Sequence, residues 1–459
     1  MRYTTMASVP TTLPQPGTES KQRRAQVWLL CACVAAVLVV AAVLYLRKAA
    51  DDRSAFIRWI NLVQALVHGR NVYVEAAYPN PPLMALILYP LTLLPPLTGA
   101  MTWFALKVAM ASVSLFLAVH LATAGRGRLT ALGWGALLLL SARPLLGDLH
   151  HGNVNILILF VVMVSLCAYR YGFDRLCGLG IALGTTLKVT PGLFIPYFAW
   201  KREWRVVWWS AVGLVLWFFV VPGAVLGFRH NLMLVRSWTA LMIEPYVVRG
   251  EVETLQVNQS LPGVLYRLVT NSPGIEFEHD HVVPANLVAL PRDYAWWLLR
   301  IACAAVVAWM AYVCRTPTVR RTDWRLAAEF GIVVLGMLFL SERSWKHHYV
   351  TICLPVAVLL AAARFEYACN PPIRRLIAAA LGAVFLLMAL TSPELAGWIG
   401  PGGYGHKYMQ AGGAFFWAGV VLLCALSALL IAHRDDEGSG LIVRESVEQG
   451  HPVRLRTAA

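Results

Sequence analysis

VWLLCACVAAVLVVAAVLYL, residues Val27 to Leu46, is an unbroken apolar run. A helix rises 1.5 Å per residue, so about 20 such residues cross the roughly 30 Å of hydrocarbon in a bilayer. Lys21, Arg23 and Arg24 precede the run and Arg47-Lys48 follows it, with no small-residue cleavage site, so the segment reads as an uncleaved anchor. The composition of the whole chain agrees. Of 459 residues 58% are hydrophobic and 14% charged, where a soluble domain carries roughly 25% charged.

Outward from the anchor lies a polar stretch, Lys48 to Asn80, and then further apolar segments: Pro81–Leu94, Thr98–Ala122, Thr130–Leu146, Val154–Tyr169, Leu176–Ala199 and Val206–Phe228. After a long polar loop come Trp296–Tyr312, Leu326–Leu340, Tyr349–Ala363, Leu376–Leu390 and Ala414–Ile431. The fold class is therefore an all-α polytopic membrane protein with about 10–13 transmembrane helices. Two segments are irregular. Pro81–Leu94 is short and bracketed by prolines, and Leu176–Ala199 is interrupted by Lys188 and Pro191, so both read as broken or half-crossing helices.

The net charge of +15 does not indicate a nucleic-acid partner, because Arg and Lys fall in short clusters between apolar runs and not on one basic face. Lys and Arg mark cytoplasmic loops. With the N-terminus inside, the clusters Lys201-Arg202-Arg205, Arg315 to Arg325 and Arg364 to Arg375 are all inside. Arg126, Arg128, Arg170 and Arg175 join them if neither irregular segment crosses. The expected organisation is a cytoplasmic tail over 1–26, a membrane domain over 27–433 and a second tail over 434–459. The outer loops are then Lys48–Asn80, Arg229–Tyr294, Ser341–His348 and Thr391–Gly413. None of the nine cysteines lies in these loops, and neither a disulfide framework nor a metal-ligand spacing is read.

Polar residues collect on the outer side: Asp51-Asp52 after the anchor, His150-His151-Gly152-Asn153, and Arg343 with Trp345-Lys346-His347-His348. Transfer of a sugar from a lipid phosphate needs a carboxylate to take the acceptor's proton, cations for the leaving phosphate and an apolar slot for the lipid chain. All three types are present. On residue type alone Asp51-Asp52, beside Arg47, Lys48 and Arg53, reads first as an interfacial charge cluster, and His347-His348 as interfacial packing or a metal site, ahead of catalysis. Lys188 inside an apolar segment needs a partner or water. Lys107 raises the same question, with snorkelling as its alternative. Phe56, Ile60, Val63 and Val67 recur at three- or four-residue spacing and predict an amphipathic surface helix within Phe56 to Tyr73.

The order of motifs resembles glycosyltransferase family 87, polytopic enzymes of the GT-C class that include polyprenol-phosphate-mannose-dependent mannosyltransferases. The resemblance rests on Ala65 to Gly69 and Tyr73, Tyr78-Pro79-Asn80-Pro81-Pro82 with Leu91 to Pro95, Gly152-Asn153-Val154-Asn155, and Leu187 to Pro191 with Trp200 to Arg205. Asn258-Gln259-Ser260-Leu261 and Ser344 to His348 complete it. It implies an inverting transfer of a hexose, mannose above all, from a polyprenyl-phosphate donor to a cell-envelope lipid or glycan. An Asp in the first outer loop acts as base and a His sits near the donor phosphate.

This chain departs from the pattern at the base. The family's acidic position falls at Ala55, with Asp52 and Asp51 three and four residues earlier, offsets that on a helix return to one face. The expected catalytic residues are therefore Asp52, then Asp51. His348, His347, Lys188 and Arg343 are expected to bind the donor phosphate, and Asn153, Asn155, Asn258, Gln259, Trp345 and Tyr78 to line the substrate pocket. Neither cofactor nor metal is expected. The partners are the donor, the acceptor and membrane lipids of the plasma membrane, with the active site on the outer face. The competing reading is a transporter or flippase of lipid-linked sugars, which needs ionisable groups on both sides of a central path and two related halves. No internal repeat is read.

Overall fold

The computed structural model describes residues 16–277, 281–318 and 320–448. Residues 1–15 and 449–459, which hold parts of the two expected tails, lie outside the described residues. Among the described residues the chain is helical apart from one antiparallel hairpin, Pro273–Glu276 with Val282–Pro284, whose register shifts between Pro273 and Ile275. All nine cysteines are free.

Among the described residues seven helices are long and apolar enough to cross a membrane: Arg24–Ala50, Pro96–Thr123, Trp204–Leu226, Arg292–Val313, Lys346–Phe365, Pro371–Ala389 and Ala414–His433. Ala131–His151, Asn155–Arg170 and Trp324–Phe339 run between the same two ends. In Trp324–Phe339 every residue except Arg325 is buried, as expected of a helix apolar on all faces and enclosed by others. The final helix continues from Ala414 to Glu448, so the segment read as a tail from residue 434 begins as helix.

The arginine clusters meet at one end of the bundle. Arg126 pairs with Glu366, and Arg364 Nε donates to the Arg128 carbonyl at 3.1 Å. Arg321 holds both Asp174 and Glu203, the latter at 2.9 Å. That fork explains the interrupted segment. Asp174–Leu187 leaves the arginine end, breaks at Lys188, whose backbone is extended (φ −159°, ψ 121°), and returns through Phe194–Trp200. Lys201 then pairs with buried Glu329 at 2.8 Å. The segment is a re-entrant hairpin whose feet share Arg321 and whose tip is Lys188-Val189. The hairpin packs tightly on Trp204–Leu226 because Gly178 admits the neighbouring backbone: a Cβ there would lie 2.6 Å from the Val206 carbonyl oxygen.

Pro82–Thr92 does not cross either. Its 11 residues reach about 16 Å, and both of its ends are tied to the same loop, through Gln64 Nε2 to the Thr92 carbonyl (2.7 Å) and the Tyr73 hydroxyl to the Asn80 carbonyl (2.9 Å). The expected amphipathic helix is Ala55–Val67, capped by the Ser54 hydroxyl on the Ile57 N–H (3.2 Å), with Phe56, Trp59, Ile60, Val63 and Leu66 buried.

Candidate active site

At the end opposite the arginines, Gly152 (φ +69°) reverses the chain between Ala131–His151 and Asn155–Arg170. A Cβ at this glycine would come within 2.9 Å of the Tyr45 hydroxyl, so the reversal needs glycine for space as well as conformation. The turn sets Asp148 and Asn155 side by side in the interior. Lys107 is fully buried and donates to the Asp148 carbonyl (2.6 Å) and to its carboxylate Oδ2 (3.3 Å). It does not snorkel; a buried carboxylate compensates it. Asp148 Oδ1 in turn accepts from Asn155 Nδ2 at 2.9 Å, and Lys188 Nζ donates to Asn155 Oδ1 at 2.7 Å. A carboxylate only accepts, so Asp148 fixes the amide of Asn155 with its oxygen toward Lys188. The relay Lys107–Asp148–Asn155–Lys188 thereby sets the tip of the re-entrant hairpin.

Lys188, Asn155, Thr190, Ser344, His348 and Thr351 supply polar walls to a cavity of about 20 Å³, room for one water. A phosphate enters only if these walls part. His348 Nδ1 lies 3.1 Å from the Arg343 carbonyl and 3.3 Å from the Trp345 N–H, and its ring stacks on Trp345 with centroids 6.3 Å apart. The Trp345 indole N–H is buried with no acceptor. His347 is buried beside His151, ring centroids 4.9 Å apart, and its Nε2 is 3.2 Å from Asn153 Nδ2. Because Asn153 Oδ1 already accepts from the Val154 N–H (2.8 Å), the amide donates and His347 Nε2 accepts. Imidazole, hydroxyl and ammonium groups thus face one small space that a phosphate oxygen would complement.

The other expected residues lie elsewhere. Asp51 and Asp52 are exposed in the turn after the first helix, Asp52 with φ +55°. The expectation that they share a helical face with Ala55 is corrected: the Ser54 cap starts the helix at Ala55, so helical periodicity does not extend back to them. Arg343 bonds the Tyr246 hydroxyl and lies 3.8 Å from Glu253, outside the cavity wall. Tyr78 is fully buried between Trp59 and Tyr73, away from the cavity. Asn258 spends its whole amide on backbone, donating to the Glu253 and Glu342 carbonyls (both 2.8 Å) and accepting from the Ser260 and Ser344 N–H groups. Gln259 does the same, donating to the Gln256 and Gln410 carbonyls and accepting from the Phe415 N–H. These two amides fasten three loops and leave no group for a substrate. Among the described residues no group of three or more His, Cys, Asp or Glu side chains converges as a metal ion requires.

Sequence reasoning missed Asp148 and the partnership of Lys107. The usable signal was two charges of opposite sign, Lys107 inside an apolar segment and Asp148 two residues past the end of another, each costly to bury alone.

The family description "Glycosyltransferase family 87" matches residues 78–341, a stretch that includes Lys107, Asp148, Asn155 and Lys188. A polyprenol-phosphate-mannose-dependent alpha-(1-2)-phosphatidylinositol mannoside mannosyltransferase of Mycolicibacterium smegmatis is 26% identical over 224 residues, 49% of this chain and 45% of that protein. A polyprenol-phosphate-mannose-dependent alpha-(1-2)-phosphatidylinositol pentamannoside mannosyltransferase of Mycobacterium tuberculosis is 25% identical over 359 residues, 76% of this chain and 71% of its own. The chain spans about half the length of the first of these relatives. No solved structure matches. With the match extending over more than half of its residues, this chain belongs to glycosyltransferase family 87.

Proposed function

We propose that the protein is a membrane mannosyltransferase that moves mannose from a polyprenyl-phosphate donor to a lipid or glycan acceptor of the cell envelope, with inversion. The observation that carries the reading is the cavity walled by Lys188 and His348 at the tip of the re-entrant hairpin, in a chain whose relatives bear that activity in their names. The acceptor hydroxyl gives its proton to Asp52, or to Asp51, and its oxygen bonds the anomeric carbon. The bond from that carbon to the phosphate oxygen breaks on the opposite face. The leaving polyprenyl phosphate passes from a diester to a monoester and gains one negative charge, which Lys188 and His348 stabilise. His347, seated by Asn153, and Trp345 hold the turn that carries His348. The arginine-rich end faces the cytoplasm together with the N-terminus, in keeping with the bias of Lys and Arg to inner loops, and the cavity opens to the outer face of the plasma membrane.

Exposure of Asp51 and Asp52 suits a base that meets an acceptor arriving from outside. The test is transfer of labelled mannose from a polyprenyl-phosphate donor in membranes carrying Asp52→Asn or Asp51→Asn. Loss of the base is expected to slow turnover by about 10²- to 10⁴-fold. Undiminished turnover in both variants removes these carboxylates from the chemistry. Sugar-dependent transport into liposomes without any glycosidic bond formed points to the transporter reading.

A further inference from the structure

We propose that Arg143, Lys346 and His406 form a second anion site, separate from the cavity, which binds the phosphodiester head group of an anionic membrane lipid serving as sugar acceptor. The acceptor role rests on the transfer reading above; the binding site does not.

Arg143 lies on Ala131–His151 one helical turn before Gly147, and a Cβ on Gly147 would sit 3.7 Å from His347 Cβ. Residues four apart share a helical face, so Arg143 faces the turn that begins at Lys346. Its Nη2 donates to the Thr391 carbonyl at 2.9 Å, while its Nε–H is buried with no acceptor. His406, on Gly405–Ala411, likewise has a buried Nδ1 without a partner. Lys346 has Arg143, Glu394 and Lys48 as charged neighbours, and His406 has Lys346, Arg143 and Glu394 among its own. The one carboxylate of the group, Glu394, is exposed and accepts from the Ser392 hydroxyl. Against this single negative charge stand Arg143, Lys346 and Lys48, so the cluster holds an excess of positive charge together with a buried Arg143 Nε–H that lacks an acceptor. Such a cluster is completed by an anion. None of its residues lines the cavity at Lys188.

The surroundings favour a lipid over a free ion. Leu139, one turn from Arg143 toward the arginine end and on the same helical face, is 58% exposed, and Leu386 on the adjoining helix Pro371–Ala389 is 55% exposed. An apolar wall thus descends from the cations along the direction that acyl chains take.

The experiment uses the full-length protein purified in phosphatidylcholine nanodiscs containing phosphatidylinositol and polyprenyl phosphate, with retained lipids read by native mass spectrometry. Each interfacial cation contributes about fivefold, so Arg143→Gln/Lys346→Gln is expected to retain phosphatidylinositol roughly 30-fold less, and Arg143→Lys/Lys346→Arg to restore it. Retention of polyprenyl phosphate, measured in parallel, is expected to stay unchanged in the Gln variant and serves as the check that it folds. Equal phosphatidylinositol retention by wild type and the Gln variant overturns the site. So does saturation by inorganic phosphate with no preference for phosphatidylinositol over phosphatidylcholine, which would mark a free-anion site. If the wild type retains phosphatidylinositol but never polyprenyl phosphate, the site stands and the transfer reading falls.

Discussion

The two ends of the bundle treat charge in opposite ways. At the arginine end, cations meet carboxylates: Arg126 with Glu366, Arg321 with Asp174 and Glu203, Lys201 with Glu329 and Arg325 with Asp323. At the other end Lys188 rests on an amide oxygen and Arg143 on a backbone carbonyl, and among the described residues neither Lys188, Lys346 nor Arg143 has a carboxylate within ion-pair distance. The fully buried pair at that end, Lys107 with Asp148, orients Asn155. The contrast separates charge that holds the fold from charge left available to a ligand. A closed ion pair has little to offer a phosphate, whereas an ammonium held by a neutral amide keeps its full charge for one.

Three substitutions test that division. The largest effect is expected from Lys107→Met, which leaves the Asp148 carboxylate buried and uncompensated. Breaking such a pair costs about 3–5 kcal/mol, read as a lowered unfolding midpoint in detergent, and Lys107→Met/Asp148→Asn should recover part of the loss because both charges are gone. A single variant as stable as wild type would mean that water or a proton neutralises Asp148. Next, Lys188→Met should lower turnover with a polyprenyl-phosphate donor by about 10²- to 10³-fold, the usual consequence of deleting one stabiliser of a developing anion. Its unfolding midpoint should stay within a few degrees. A large stability loss with normal turnover would move Lys188 to the structural class. The smallest effect belongs to Arg321→Gln, which frees the feet of the hairpin and should cost about 1.5–3 kcal/mol, the range for hydrogen bonds to charged groups. Donor binding by the protein that remains folded should be unchanged. Loss of donor binding before loss of stability would show that the feet control the tip.

Much of this was open to reading in the sequence. Lys188 and Pro191 announced the break in the re-entrant hairpin, because an ammonium and a missing N–H inside an apolar run leave a helix little reason to continue. The short, proline-bracketed Pro81–Leu94 announced a segment unable to cross. Asn155, Lys188 and His348 were candidates and meet at one cavity. Asn258 and Gln259 were equally conspicuous, yet their amides serve backbone groups, a use that residue type does not reveal. Asp51 and Asp52 were assigned to a helical face by extending a period of 3.6 across a boundary that the Ser54 hydroxyl draws.

By itself the sequence determined that this chain lives in a bilayer, where its helices break and which arginines gather. Those properties are sums over neighbouring residues, and hydrophobic transfer is additive along the chain. Only the tertiary structure decided that Lys107 finds Asp148 41 residues away, that Asn155 turns its oxygen to Lys188, and that Arg143 and Lys346 become neighbours. A charge's partner is fixed by distance and direction in a medium of low dielectric, and neither quantity is a function of separation along the chain.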